Sequence, residues 1–119
     1  ERVVGINEEE LKTPGCISRH LKNSELPLYI SLDKDILTRS CAITNWDQGE
    51  AQLEDVLVCI KEAASCRSII GVDVCGENTD DQEQEGNRAS QTNQNTNRKI
   101  ICKLLEICDV LYPWQQEKF

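Results

Sequence analysis

Apolar residues in this chain fall into two stretches of strand character and two of helical character. After Pro27, the run Leu28-Tyr29-Ile30-Ser31-Leu32 is almost continuously apolar and rich in β-formers, which predicts a strand covered on both faces. Asn45 to Gly49 is turn-like. From Glu50 to about Ala64, apolar residues recur at Leu53, Val56, Leu57 and Ile60, with Lys61 and Glu62 outside, the pattern of an amphipathic helix. Ser68 to Val74 reads as a second strand. Strand, helix and strand in that order form a βαβ unit, which predicts an α/β fold with a parallel sheet. A right-handed crossover then brings the carboxyl ends of both strands to one rim.

The flanks are less apolar. Asn7 followed by Glu8, Glu9 and Glu10 has the form of a capping box, but Pro14 and Gly15 cut that helix short, and a second short helix covers Ile17 to Leu21. Between Glu77 and Arg98 the sole apolar residue is Ala89, a composition that cannot offset ordering entropy, so residues 78 to about 90, and 78–92 at the widest, read as a mobile polar loop. The Asn- and Thr-rich end of that stretch caps a helix running from about Asn93 or Thr96 to Leu111, and Pro113 ends it. The expected organisation is a helical lead-in over 1–26, an α/β body over 27–112 and a tail over 113–119.

Composition narrows the class. The 119 residues carry 21 acidic and 13 basic side chains, for a formal charge of −8. No stripe of Lys and Arg tracks phosphates, which argues against nucleic acid and for cations as ligands. No run approaches the ~20 apolar residues of a membrane span, and no charged segment precedes an apolar stretch at the start, so a membrane role and a visible secretion signal are both disfavoured. The chain opens on Glu1 and contains no methionine, so it is expected to be a piece of a longer protein. Seven cysteines are present, an odd count with no Cys-x-x-Cys pair. Cys59 lies within the apolar pattern of the first long helix, and Cys102 and Cys108 lie among Ile100, Ile101, Leu104, Leu105, Ile107 and Leu111. These read as core positions of a reduced, cytoplasmic protein. Cys16 and His20, four apart, are too few to make a zinc site and read as solvent-facing.

The chemistry concentrates in Ser31-Leu32-Asp33-Lys34-Asp35. In a strand, two aspartates two apart share a face while Lys34 points to the other. Carboxylates that close either raise one pKa or hold a cation between them. The second strand leaves through Asp73, with Glu77 just beyond, so four carboxylates are expected at the rim where open α/β sheets bind ligands. The competing reading is that Asp33 and Asp35 only cap the turn after the strand. Asp47 is a weaker candidate, read first as an N-cap for the helix near Glu50. Trp46 beside it either lines a pocket or covers the sheet end.

The strings Tyr29-Ile-Ser-Leu-Asp-Lys-Asp-Ile-Leu37, Asn45-Trp-Asp-Gln-Gly49 and Ile70-Gly-Val-Asp-Val-Cys-Gly-Glu77 together resemble the C-terminal half of the arginase/agmatinase (ureohydrolase) superfamily. The resemblance is to the arginase-like branch that includes peptide arginases, and it spans roughly residues 27 to 111. It implies a three-layer α/β/α fold with a parallel sheet, here a partial domain, and two Mn²⁺ ions in the full-length protein. It also implies that Asp33 bridges both ions, that Asp35 binds one, and that Glu77 recognises the guanidinium group. The activity the resemblance implies is that family's metal-assisted hydrolysis of the guanidino group of arginine, free or within a peptide, to ornithine and urea. Hard oxygen ligands suit manganese.

The chain departs from the family pattern in three places. A His-bearing strand end and an Asp-x-His-x-Asp run are absent, His20 being the only histidine. The usual Asp-Pro is replaced by Leu37-Thr38, and Glu77 stands one residue later after Asp73, with Gly76 as a candidate bulge. The resemblance therefore implies that the missing N-terminal half is a partner, that the chain alone is inactive, and that its open sheet edge favours self-association into a homo-oligomer. Two other functions compete: a non-catalytic α/β interaction module or degenerate relative that keeps the aspartates as caps, and a deacetylase-like hydrolase with one metal.

Overall fold

A computed structural model describes residues 3–76 and 85–111, with side chains described over 3–76 and 88–107. Glu8–Leu11 form α1 and Ser18–Leu21 form α2. The expected capping box is present, since Asn7 Oδ1 accepts from the Glu10 amide at 2.8 Å and Glu10 Oε2 accepts from the Asn7 amide at 3.2 Å. Strand β1 runs Leu28–Asp33, helix α3 Leu53–Cys66, strand β2 Ile69–Cys75 and helix α4 Glu85–Leu111. The two strands pair in parallel, Ser31 opposite Asp73 and Asp33 opposite Cys75, with a register shift after Leu28. The chain is therefore of the α/β class, with a two-stranded parallel sheet among the described residues.

Helix α3 buries Leu53, Val56, Leu57, Cys59, Ile60, Ala63 and Ala64 on one stripe. That stripe meets Leu32 and Leu37 from the strand side and Ile100 and Ile107 from α4, with Ile30, Ile69 and Leu104 packed at the margin. The apolar face of β1 is thus covered, but the other is not: Tyr29, Ser31 and Asp33 are exposed, so the expectation of a strand covered on both faces is corrected for the described residues. On β2, Ile70 and Val74 remain exposed.

Residues 78–84, like Glu77 and 112–119 with Tyr112, Pro113 and Trp114, lie outside the described residues. Helix α4 begins earlier than the pattern predicts. Residues 85–92 are helical, so the stretch read as a loop over 78–92 is helix in its second part. The buried positions explain the early start. Ala89, Asn93, Thr96, Ile100 and Ile107 form one helical stripe, and its first half is built from Ala, Asn and Thr, which a search for large apolar residues does not register. Their polar atoms are used: the Asn93 amide donates to the Ile43 carbonyl at 2.8 Å and accepts from the Ile43 amide at 2.9 Å, and the Thr96 hydroxyl donates to the Cys41 carbonyl. In the second half, Ile101, Leu105 and Cys102 are exposed, which corrects their reading as core positions; the Cys108 side chain lies outside those described.

Between β1 and α3 the chain doubles back through a short 3-10 turn at Lys34–Ile36 and an isolated parallel bridge between Leu37 and Ala51. Gly49 donates to the Asp35 carbonyl at 2.7 Å, Ala51 to the Ile36 carbonyl at 3.0 Å and Thr38 to the Ala51 carbonyl at 2.9 Å. Gln48 fastens this loop from inside, donating to the carbonyls of Leu37 and Ala42 at 3.0 and 2.9 Å while accepting from the Thr44 amide at 3.2 Å. Among the described residues no helix is long and apolar enough to cross a membrane.

Candidate functional site

Strand β1 ends at Asp33 because the side chain of that residue caps the next turn. Its Oδ1 accepts from the Asp35 amide at 3.0 Å, turning Lys34–Ile36 into a single 3-10 turn. The expected sharing of one strand face by Asp33 and Asp35 is corrected accordingly: Asp33 is the last strand residue, and Asp35 lies in the turn. Lys34 between them is fully buried, 0% exposed, and its ammonium donates to Asn97 Oδ1 of α4 at 2.9 Å. A buried ammonium requires such partners, because desolvation disfavours its charge. The contact ties the turn that carries both aspartates to the long helix.

Asp35 is half-buried, and its Oδ1 is shielded from solvent with no hydrogen-bond partner. Buried carboxylate oxygens are normally paired, and an orphan of this kind calls for an explanation such as an ion. Asp35 lines a cavity of about 570 Å³ with Ile6, Glu8, Leu11, Ile36 and Ala51. Glu8 in that wall is occupied, accepting from the Glu50 amide at 2.8 Å.

Asp73 sits two residues inside the rim, opposite Ser31 rather than at the strand end. The Ser31 hydroxyl donates to Asp73 Oδ1 at 2.8 Å. The neighbouring Asp73 carboxylate raises the Tyr29 phenol above its usual pKa, through hydrogen bonding first and then through its charge. The Tyr29 ring lies directly over Gly71, where a Cβ would fall 2.6 Å from the ring. Cys75, at the end of β2, has its thiol pKa raised, first by desolvation and then by the charges of Asp33, Asp73 and Asp35. Gly76 follows with φ +90°, a left-handed conformation, and a Cβ there would meet Asp33 Oδ1 at 2.9 Å and the Lys34 amide at 3.0 Å.

The structure thus places Asp33 at the carboxyl end of β1 and Asp35 in the turn that follows, while Asp73 lies two residues inside the end of β2. Glu77, the residue that would follow Gly76 into this rim, lies outside the described residues. Asp47 is exposed and does not cap α3, whose N-cap is Gln52. Trp46 is 74% exposed, so it does not cover the sheet end. Among the described residues, no group of three or more His, Cys, Asp or Glu side chains is arranged to hold a metal ion. Two contributors carried little signal in the sequence: Lys34, overshadowed by the aspartates on either side, and Asn97, one polar residue among many in a polar helix.

No family model matches the chain, and no solved structure matches it significantly. A stretch of 51 residues, 43% of this chain, is 43% identical to an uncharacterized protein of Thermotoga maritima. That stretch amounts to 20% of the Thermotoga protein, so the chain spans about a fifth of its relative's length.

Proposed function

We propose that the acidic rim is part of a divalent-cation site in an arginase-like, manganese-dependent hydrolase that releases urea from a guanidino group, that of arginine or of an arginine-containing peptide. The observation that carries this reading is the shielded, unpartnered Oδ1 of Asp35, beside a second carboxylate at the carboxyl end of a parallel strand. The fit to manganese is chemical: the donors are hard carboxylate oxygens on a turn whose shape is already set by the Asp33 cap and the Lys34–Asn97 contact. Asp33 and Asp35 would hold the ions, with the remaining ligands supplied by a segment outside this chain, the N-terminal half that would also complete a three-layer α/β/α domain.

Held there, two Mn²⁺ ions would supply Lewis acidity and a nucleophile near neutral pH. Asp73 holds Ser31 in place on the open face of the sheet, and the acidic rim attracts a cationic guanidinium. Glu77 is assigned to guanidinium recognition by the family resemblance alone.

A second reading has its own observation. The Asp33 bond to the Asp35 amide is that of a carboxylate capping a turn, which favours a non-catalytic α/β module that keeps the pair for structure. Metal analysis of the intact gene product, with urea assays on arginine, agmatine and an arginine-containing peptide, separates the two. Asp33→Asn is expected to remove manganese and abolish urea release; unchanged metal content in that variant would leave the capping role as the explanation.

A further inference from the structure

Away from the rim, two buried thiols face each other. Cys16, in the turn joining α1 to α2, is 1% exposed, and Cys59, in the middle of α3, is 8% exposed. This corrects the reading of Cys16 as solvent-facing. Their Sγ atoms lie 3.7 Å apart although the residues are 43 positions apart in sequence. Each thiol is 3.6 Å from the same acceptor, the Leu11 carbonyl. Both are free thiols.

We propose that Cys16 and Cys59 form a redox clip, which a small organic disulfide closes into an intramolecular disulfide that locks the lead-in helices onto α3. Cys59 lines a cavity of about 390 Å³, with Lys12, Pro14, Val58, Asp55 and Glu62 among its walls, and is the sulfur an incoming reagent meets. Its thiolate attacks one sulfur of the reagent, forming a mixed disulfide and releasing one thiolate. The Cys16 thiolate then attacks the Cys59 sulfur and expels the second. The two protons lost by the protein end on the two released thiols, so two protein thiols and one organic disulfide become one protein disulfide and two small thiols. Closure draws the sulfurs in from van der Waals contact to about 2.05 Å.

The surroundings set the rate. Burial, then the bond to Cys16, then the charges of Cys16, Glu62 and Asp55 push the Cys59 thiol up to about 12. Lys12 is the cation lining that cavity. Closure is therefore slow at neutral pH and accelerates about tenfold per pH unit. Leu11 lines both this cavity and the one that holds Asp35, so the clip steadies a wall of the acidic rim. The thiol chemistry is independent of what that rim binds.

The test treats the protein with hydroxyethyl disulfide at pH 8 and pH 9, blocks residual thiols with N-ethylmaleimide in denaturant, and maps the linked peptides by mass spectrometry. A Cys16–Cys59 linked peptide is expected, forming about tenfold faster at the higher pH. Thermal unfolding should shift up by on the order of 10 °C, reversed by excess dithiothreitol. Cys16→Ala should stop the reaction at a mixed disulfide on Cys59 and abolish the shift. Recovery of Cys16 and Cys59 as maleimide adducts, with the reagent confined to exposed Cys75 and Cys102, would overturn the proposal in the unmodified protein, whatever the stability of the variant.

Discussion

Replacing Asp35 with asparagine separates the cost of an orphaned carboxylate from its use. With chelator present, the wild-type chain keeps Oδ1 shielded from solvent and without a partner, a situation that costs about 1–3 kcal/mol and more for a charged group. Asp35→Asn preserves the shape and removes the charge but retains some desolvation cost, so a gain of about 1 kcal/mol is expected. For a domain of this size that raises Tm by roughly 4 °C. Adding manganese to the intact gene product should reverse the order. Wild type gains about 2.7 kcal/mol at a metal concentration a hundredfold above Kd, and the variant gains nothing. Circular dichroism melts of both proteins, in chelator and across a manganese titration, read out the crossing. A variant less stable than wild type in chelator would mean that Asp35 is already satisfied, and equal manganese stabilisation of both would remove it from the shell.

Two further outcomes concern the frame that holds the rim. Asn93→Ala strands both polar groups of Ile43, now bonded at 2.9 and 2.8 Å, and should cost about 2–4 kcal/mol in urea unfolding, with faster hydrogen exchange at the Ile43 amide; a loss below about 0.5 kcal/mol, the level of an ordinary surface change, would contradict the assignment. Glu62 accepts from the Ser18 amide at 2.7 Å, and this bond, the foremost cause, holds its carboxyl below the ordinary value of 4.5. A depressed folded-state pKa stabilises above the unfolded value and is lost as pH falls through the folded one. Stability should therefore decline below about pH 4.5 more steeply in wild type than in Glu62→Gln, and parallel acid limbs would refute the role.

What was legible in the chain were the features set by local pattern. The capping box at Asn7, the apolar stripe of α3 and the two strands of a parallel pair all arise from residue type at short range, because helix and strand periods sort side chains by face without reference to the rest of the fold. The place of Asp33 at the carboxyl end of its strand was legible for the same reason, whereas Asp35 lies in the following turn and Asp73 two residues inside the end of β2, where only the observed strand ends and register put them. Tertiary structure decided the rest. Residues 85–92 became helix because Ala89, Asn93 and Thr96 found a loop to pack and bond against, and small or polar residues announce burial only when their partners are known. Lys34 went inside because Asn97 was there to receive it. Cys16 and Cys59 met across 43 positions, a proximity that no spacing encodes, since it exists only after α1, α2 and α3 have packed together.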